Sequence, residues 1–211
     1  MGFAPRMRPI RFFARACLIG AIALPLIARI DKKPLSGLTV ILDFKGAHAG
    51  ASVSEMEREA GLIMKSSGVQ LDWRLAGDRS LHYDNLVVMT FRGSCGFGPP
   101  ARRYYEPGPY ASTRITDGEV QPFGDVDCDR VAATAGDAMA EDTDYLRGDQ
   151  LVGRALGRVV AHELVHMLTR SNRHGSEGVA KASLSGKELI EESLTLSMPD
   201  IERVKKELRE H

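Results

Sequence analysis

The sequence predicts an α+β domain: a mixed β-sheet, one long helix and a small helical C-terminal part. Three observations carry this prediction. Apolar, β-rich runs at residues 38–44, 69–75 and 85–93 enclose one segment of helical periodicity. A longer helical pattern covers residues 148–171, and two shorter ones close the chain. The 211 residues suffice for one sizeable core, so a single domain over residues 36–211 is expected.

Residues 1–28 have the layout of a signal peptide, or of an N-terminal anchor if left uncleaved. Arg6, Arg8, Arg11 and Arg15 precede an apolar run over residues 16–27, with Ala28 or Ala23 as the small residue for cleavage. The run is shorter than the roughly 20 residues a spanning helix needs, and Pro25 interrupts it, so no stable membrane insertion is expected after cleavage. Cys17 lacks a lipobox, because Arg15 and Phe13 stand where small and aliphatic residues belong. The whole chain has 28 basic and 28 acidic residues, and removing the four arginines leaves four acids in excess. That balance argues against a nucleic-acid partner. A monomer is expected.

"LTVILDF", residues 38–44, reads as a first strand ending in the small-residue loop "KGAHAG". Ser52 or Ser54 is expected to cap the next helix, in which Met56, Ala60, Ile63 and Met64 recur at helical spacing before Gly68 stops it. In Val69–Leu75, apolar Val69, Leu71, Trp73 and Leu75 alternate with polar residues, as in a half-buried strand. "NLVVMTFRG" has the apolar character of a central strand. Residues 94–135 are dense in Gly and Pro and read as irregular, with one short strand near 112–116 and a turn at "TDGE". Cys95 and Cys128 lie near the ends of that stretch, and two cysteines in an exported domain read as one disulfide.

In the long helix, Gly153 and Gly157 are expected to face a neighbouring strand. Ser185 and Glu188 form a capping-box pattern for "KELIEESLTL". Pro199 and Asp200 open a last helix with an apolar stripe of Ile201, Val204 and Leu208.

The chemistry concentrates in "AHELVHMLTR", residues 161–170. Residues four apart on a helix share a face, so His162 and His166 can present two ring nitrogens to one ion. Glu163 lies about 100° round the axis, near enough to reach water beside the metal without taking a ligand place. This pattern points to a zincin: Zn²⁺ with three protein ligands and an open position, peptide-bond hydrolysis by zinc-activated water, and Glu163 as general base. A peptide or protein is the expected substrate.

The third ligand is less directly marked. The strict HExxHxxGxxH continuation fails, because Thr169 and Asn172 stand at its glycine and histidine positions. His174, eight residues after His166, follows "RSNR", where Ser171 and Asn172 offer a helix stop and Asn tolerates the left-handed turn. The competing donors are Glu188, Glu191 and Glu192 on the following helical segment. His48 and His82 read as surface histidines, Glu177 as a loop charge, and Tyr104, Tyr105 and Tyr110, with Arg102 and Arg103 close by, as loop residues that could flank a cleft.

"HELVHMLTRSNRHGSEGV", with "FRGSC" and "TDGEVQPFGDVDCDRV" ahead of it, resembles a group of small exported bacterial metallopeptidase-like proteins related to metzincins. The resemblance spans residues 69–196 and implies a zincin-like (metzincin-like) domain. It also implies metal ligation by His162, His166 and His174 and supports the Cys95–Cys128 pairing. One departure stands out. That group places a methionine after the third histidine as a hydrophobic floor under the zinc, where this chain has Ala180 in "GVA". Met198 is too far along to be assumed a substitute. The departure raises an alternative reading, a catalytically weak or inactive extracytoplasmic binding protein with the same fold.

Overall fold

The computed structural model describes residue 1 and residues 36–77, 83, 85–98 and 108–210. The signal-like segment, His82, Arg102, Arg103, Tyr104 and Tyr105 lie outside the described residues. Five strands form one mixed sheet: β1 (Ser36–Phe44), β2 (Val69–Leu75), β3 (Leu86–Arg92), β4 (Ala111–Thr116) and β5 (Glu119–Asp127), in the order β2-β1-β3-β5-β4. The first four neighbours run parallel, and β4 is antiparallel to β5 at the far edge. The helices are α1 (Gly50–Lys65), α2 (Cys128–Asp137), α3 (Tyr145–Thr169), α4 (Gly186–Ile190) and α5 (Met198–Glu210). The expected α+β architecture is therefore present, with the two short helices at the C-terminal end. Among the described residues, no helix is long and apolar enough to cross a membrane.

The core follows from strand alternation. Leu38, Val40 and Leu42 of β1 and Val87, Met89 and Phe91 of β3 are buried, and they join Met56, Ala60 and Ile63 of α1 and Leu156 and Val160 of α3 in one cluster. β3 is the central strand, as its apolar run suggests, yet its alternate residues Val88 and Thr90 are only half-buried. In β2, Val69, Leu71 and Trp73 point inward as expected, while Leu75 at the strand end is exposed.

Helix α1 starts at Gly50, and neither Ser52 nor Ser54 caps it: the N-cap is Ala49, without a side-chain bond. Ser52 is instead buried and donates to the Asp149 carbonyl at 2.9 Å, a tertiary partner that local spacing could not show. Gly68, at φ +85°, ends this unit as expected, because only glycine adopts that backbone angle without strain.

Gly153 and Gly157 correct a further expectation: they face α1, not a strand. A Cβ on Gly157 would lie 2.8 Å from both the Met56 carbonyl and the Glu59 Cβ, and one on Gly153 would run into the Ser52 carbonyl. Two glycines one turn apart thus cut a groove into which the α1 backbone settles. Gly153→Ala is expected to force the two helices apart and destabilise the fold by about 1–3 kcal/mol, the usual penalty of overpacking, measured as a lowered urea midpoint.

The stretch expected to be mostly irregular contains a full hairpin and a helix. The turn at "TDGE" is as expected, with Asp117 at φ 53° and Gly118 at φ 82°, the pair of left-handed residues that a two-residue hairpin favours. β5 escapes sequence reading because Pro122 and Gly124 interrupt its alternation. The ladder accommodates them by a register shift between Thr113 and Ile115, and Pro122 falls in that irregularity. Asp127 then caps α2 by accepting the Arg130 N–H at 3.0 Å. Cys95 and Cys128 are bridged and fully buried, tying the end of β3 to the start of α2.

Candidate metal centre

Helix α3 is fixed at both ends. Asp144 accepts the Arg147 N–H at its start, and Arg170 in the left-handed conformation ends it. The stop therefore comes before Ser171 and Asn172, where the sequence placed it. The chain reverses there, with the Ser171 N–H donating to the His166 carbonyl at 3.2 Å. The reversal turns the following loop back over the face that carries His162 and His166.

Each of these histidines is oriented by a main-chain carbonyl. His162 Nδ1 lies 2.8 Å from the Val179 oxygen, and His166 Nδ1 lies 2.7 Å from the Ser171 oxygen. A carbonyl only accepts, so each Nδ1 carries the proton and each Nε2 is a bare lone pair. The two Nε2 atoms stand 3.1 Å apart. His174 completes the group: its ring centroid is 5.2 Å from that of His162 and 4.9 Å from that of His166. One ligand atom from each of the three lies within 4.8 Å of the others.

The His162–His166 pair fits zinc, and His174 has to close in on it, because two nitrogens on one zinc stand at most about 4.2 Å apart. Zn–N bonds of about 2.0–2.1 Å in a tetrahedron separate two nitrogens by about 3.3 Å, close to the His162–His166 spacing. Two bare lone pairs that near repel unless a cation sits between them. The carbonyl bonds to both Nδ1 atoms are also the outer support that ligating histidines usually have.

The loop holding His174 is pinned from behind. Gly175 donates to the Ala180 carbonyl at 2.7 Å, and the Asp200 carboxylate packs against Gly175 so closely that a Cβ there would be 2.5 Å from Oδ2. Asp200 is itself buried, bonded by Ser197 Oγ at 2.6 Å and Arg203 at 2.7 Å.

The alternative ligands are engaged elsewhere. Glu188 completes the expected capping box with Ser185 and pairs with Lys181, whose ammonium holds the carboxyl down to about 2. Glu191 and Glu192 line a separate cavity together with Arg147 and Arg154. His48 is exposed and stacks on Phe44 at 4.2 Å, and Glu177 is an exposed loop residue.

Glu163 is 5% exposed and faces the same cavity as the histidines. Burial pushes its carboxyl up, and a bond from Thr113 Oγ1 to Oε2, at 2.6 Å, opposes that rise. Sequence reading missed Thr113, since nothing local distinguishes it from any other strand threonine. The cavity has a volume of about 510 Å³, and its walls include Tyr110, Ile115, Val159 and Leu184. Tyr110 closes one side by donating to the Leu184 carbonyl at 3.0 Å.

The missing methionine leaves the turn intact. Val179 and Ala180 are both buried, and the Val179 carbonyl holds His162. Gly178, at φ +67°, lets this turn sit against the Thr195 carbonyl, where a Cβ would collide. Met198 is 66% exposed and does not fill the place.

Burial depresses His162 from 6.5 to about 4, which keeps the imidazole neutral and ready to ligate. Between pH 6.5 and about 4 the unfolded chain binds a proton that the folded chain refuses, so stability is full above 6.5 and falls as the pH drops towards 4. The expected loss is at most about 3 kcal/mol, at about 1.4 kcal/mol per pH unit of difference, read from urea midpoints of chelator-treated protein across that range. A flat profile would contradict it.

No family model matches the chain, and no curated protein matches it. Among solved structures, an archaemetzincin from Methanopyrus kandleri is similar, with a TM-score of 0.47 at 13% identity, covering 85% of this chain and 99% of that chain.

Proposed function

We propose that this protein is an exported zinc-dependent metallopeptidase of zincin-like architecture. The observation that carries the proposal is the convergence of three histidine nitrogens within 4.8 Å, beside a buried carboxylate in the same cavity. His162, His166 and His174 are the proposed ligands. When bound there, zinc supplies a Lewis acid that acidifies water and polarises a peptide carbonyl.

Glu163 supplies the proton transfer. Its Oε2 is held by Thr113, which leaves Oε1 to take a proton from the attacking water and pass it to the departing amine. Burial favours the protonated carboxyl, so the acid form that must donate to the amine is stabilised between the two transfers. β4 is an edge strand, and Ala111, Ser112, Thr113 and Ile115 border the cavity. An extended peptide adding to that edge runs past Glu163 and the histidines, which makes a polypeptide the fitting substrate. The buried Cys95–Cys128 bridge supports an oxidising destination outside the cytoplasm.

The inactive alternative rests on Ala180. Against it stand the intact turn, with the Val179 carbonyl still orienting His162, and the burial of Ala180 itself. The test is cleavage of casein by purified protein. Turnover is expected, lost with a zinc chelator and recovered when Zn²⁺ is added back. Zinc uptake without any cleavage would favour the non-catalytic reading.

A further inference from the structure

The structure points to Thr113 as a positioning residue that sets which oxygen of Glu163 does the chemistry; this inference rests on the hydrolase reading above. A glutamate has three rotatable side-chain bonds, and a general base with that freedom spends little time aligned with its proton. Thr113 removes much of the freedom. Its hydroxyl donates to Oε2 at 2.6 Å, the length of a charge-assisted O–H···O⁻ bond. The other acceptor in reach is the Glu163 main-chain oxygen at 3.4 Å, and a hydroxyl has one proton to give. The carboxylate is therefore tethered through Oε2, and the Thr113 main chain adds a further hold on the same group.

Three features place this hydroxyl. Strand alternation turns Ala111 and Thr113 towards the interior while Ser112 and Arg114 face out. Thr113 pairs with Gly124 of β5, whose missing side chain lets the hairpin settle on α3: a Cβ there would be 2.8 Å from Met89 Sδ and 2.9 Å from Met167 Cε. Branching at Cβ then restricts the Thr113 rotamer. Because β4 is also the edge proposed to receive the peptide, one strand both docks the substrate and aligns the base.

The experiment uses zinc-loaded full-length protein and casein as the probe, with Thr113→Val, Thr113→Ser and Glu163→Ala. Thr113→Val is expected to lower kcat by about 10- to 100-fold while KM stays within about twofold, and zinc content does not change. Thr113→Ser, which keeps the hydroxyl, restores most of the loss. A second readout does not need turnover: Thr113→Val shifts the melting temperature in the parent background and shifts it far less when Glu163 is already Ala. Full activity in Thr113→Val, or equal melting shifts in both backgrounds, overturns the role of Thr113 and leaves the hydrolase reading intact. If the parent protein holds zinc but cleaves no faster than Glu163→Ala, the hydrolase reading falls and this inference with it. Should Thr113→Val not fold, Thr113→Ala serves in its place, with the same outcomes.

Discussion

Glu163→Ala is expected to lower casein cleavage by about 10²- to 10⁴-fold while the protein still takes up zinc at the parent's stoichiometry. The split follows from the positions of the groups. Glu163 stands in the cavity with the histidines but outside the cluster of three ligand atoms, so its removal leaves the metal donors in place. Its carboxylate is buried and bonded by Thr113, and deleting it also frees a hydroxyl and opens a space for water. Some residual cleavage therefore persists. Measuring turnover and zinc content on one preparation distinguishes this from a ligand role, in which both fall together.

The largest expected effect on stability belongs to Arg158. Its side chain is fully buried, in α3 one turn before His162, and it pairs with Glu59 of α1 at 2.8 Å. Its remaining nitrogens donate to the Glu188 and Glu191 carbonyls at 2.6 and 2.7 Å, which ties α4 to the helix that carries the site. Burial lowers its pKa, and the Glu59 carboxylate opposes the shift. Arg158→Met keeps the bulk and removes every one of these bonds. Among the described residues, Glu59 then keeps only the half-exposed Arg58 at 3.2 Å, and the Glu188 carbonyl loses the Arg158 donor. Breaking a buried pair on one side costs about 3–5 kcal/mol, a large share of the roughly 5–15 kcal/mol that stabilises a domain. Urea denaturation should show that loss, and adding Glu59→Gln should recover part of it, because the stranded charge is then gone. A loss below about 1 kcal/mol would mean that Glu59 finds water and that α4 is held by other contacts.

Local rules made much of this molecule legible. The HExxH spacing placed two rings on one helix face, the Ser185–Glu188 pattern marked a real capping box, and "TDGE" marked a real turn. What stayed hidden depends on partners distant in sequence. β5 carries Pro122 and Gly124, which read as loop until the register shift that accommodates them is seen. Ser52 has the composition of a helix cap, yet a carbonyl 97 residues away takes its hydroxyl. Gly153 and Gly157 declare close packing but not against which element, and that element proves to be α1. In the site, the two carbonyls that set the histidine tautomers belong to Val179 and Ser171, and a backbone oxygen leaves no mark in a residue pattern. Thr113 comes to Glu163 from 50 residues away, on an edge strand that the sequence showed only in outline.

X-ray absorption at the zinc edge of the purified, zinc-loaded protein shows whether His162, His166 and His174 together hold one zinc ion. The predicted spectrum has three imidazole nitrogens and one oxygen donor at about 2.0–2.1 Å, with one imidazole fewer in His174→Ala. Less than one zinc per chain, or a spectrum unchanged by His174→Ala, would contradict ligation by the three histidines.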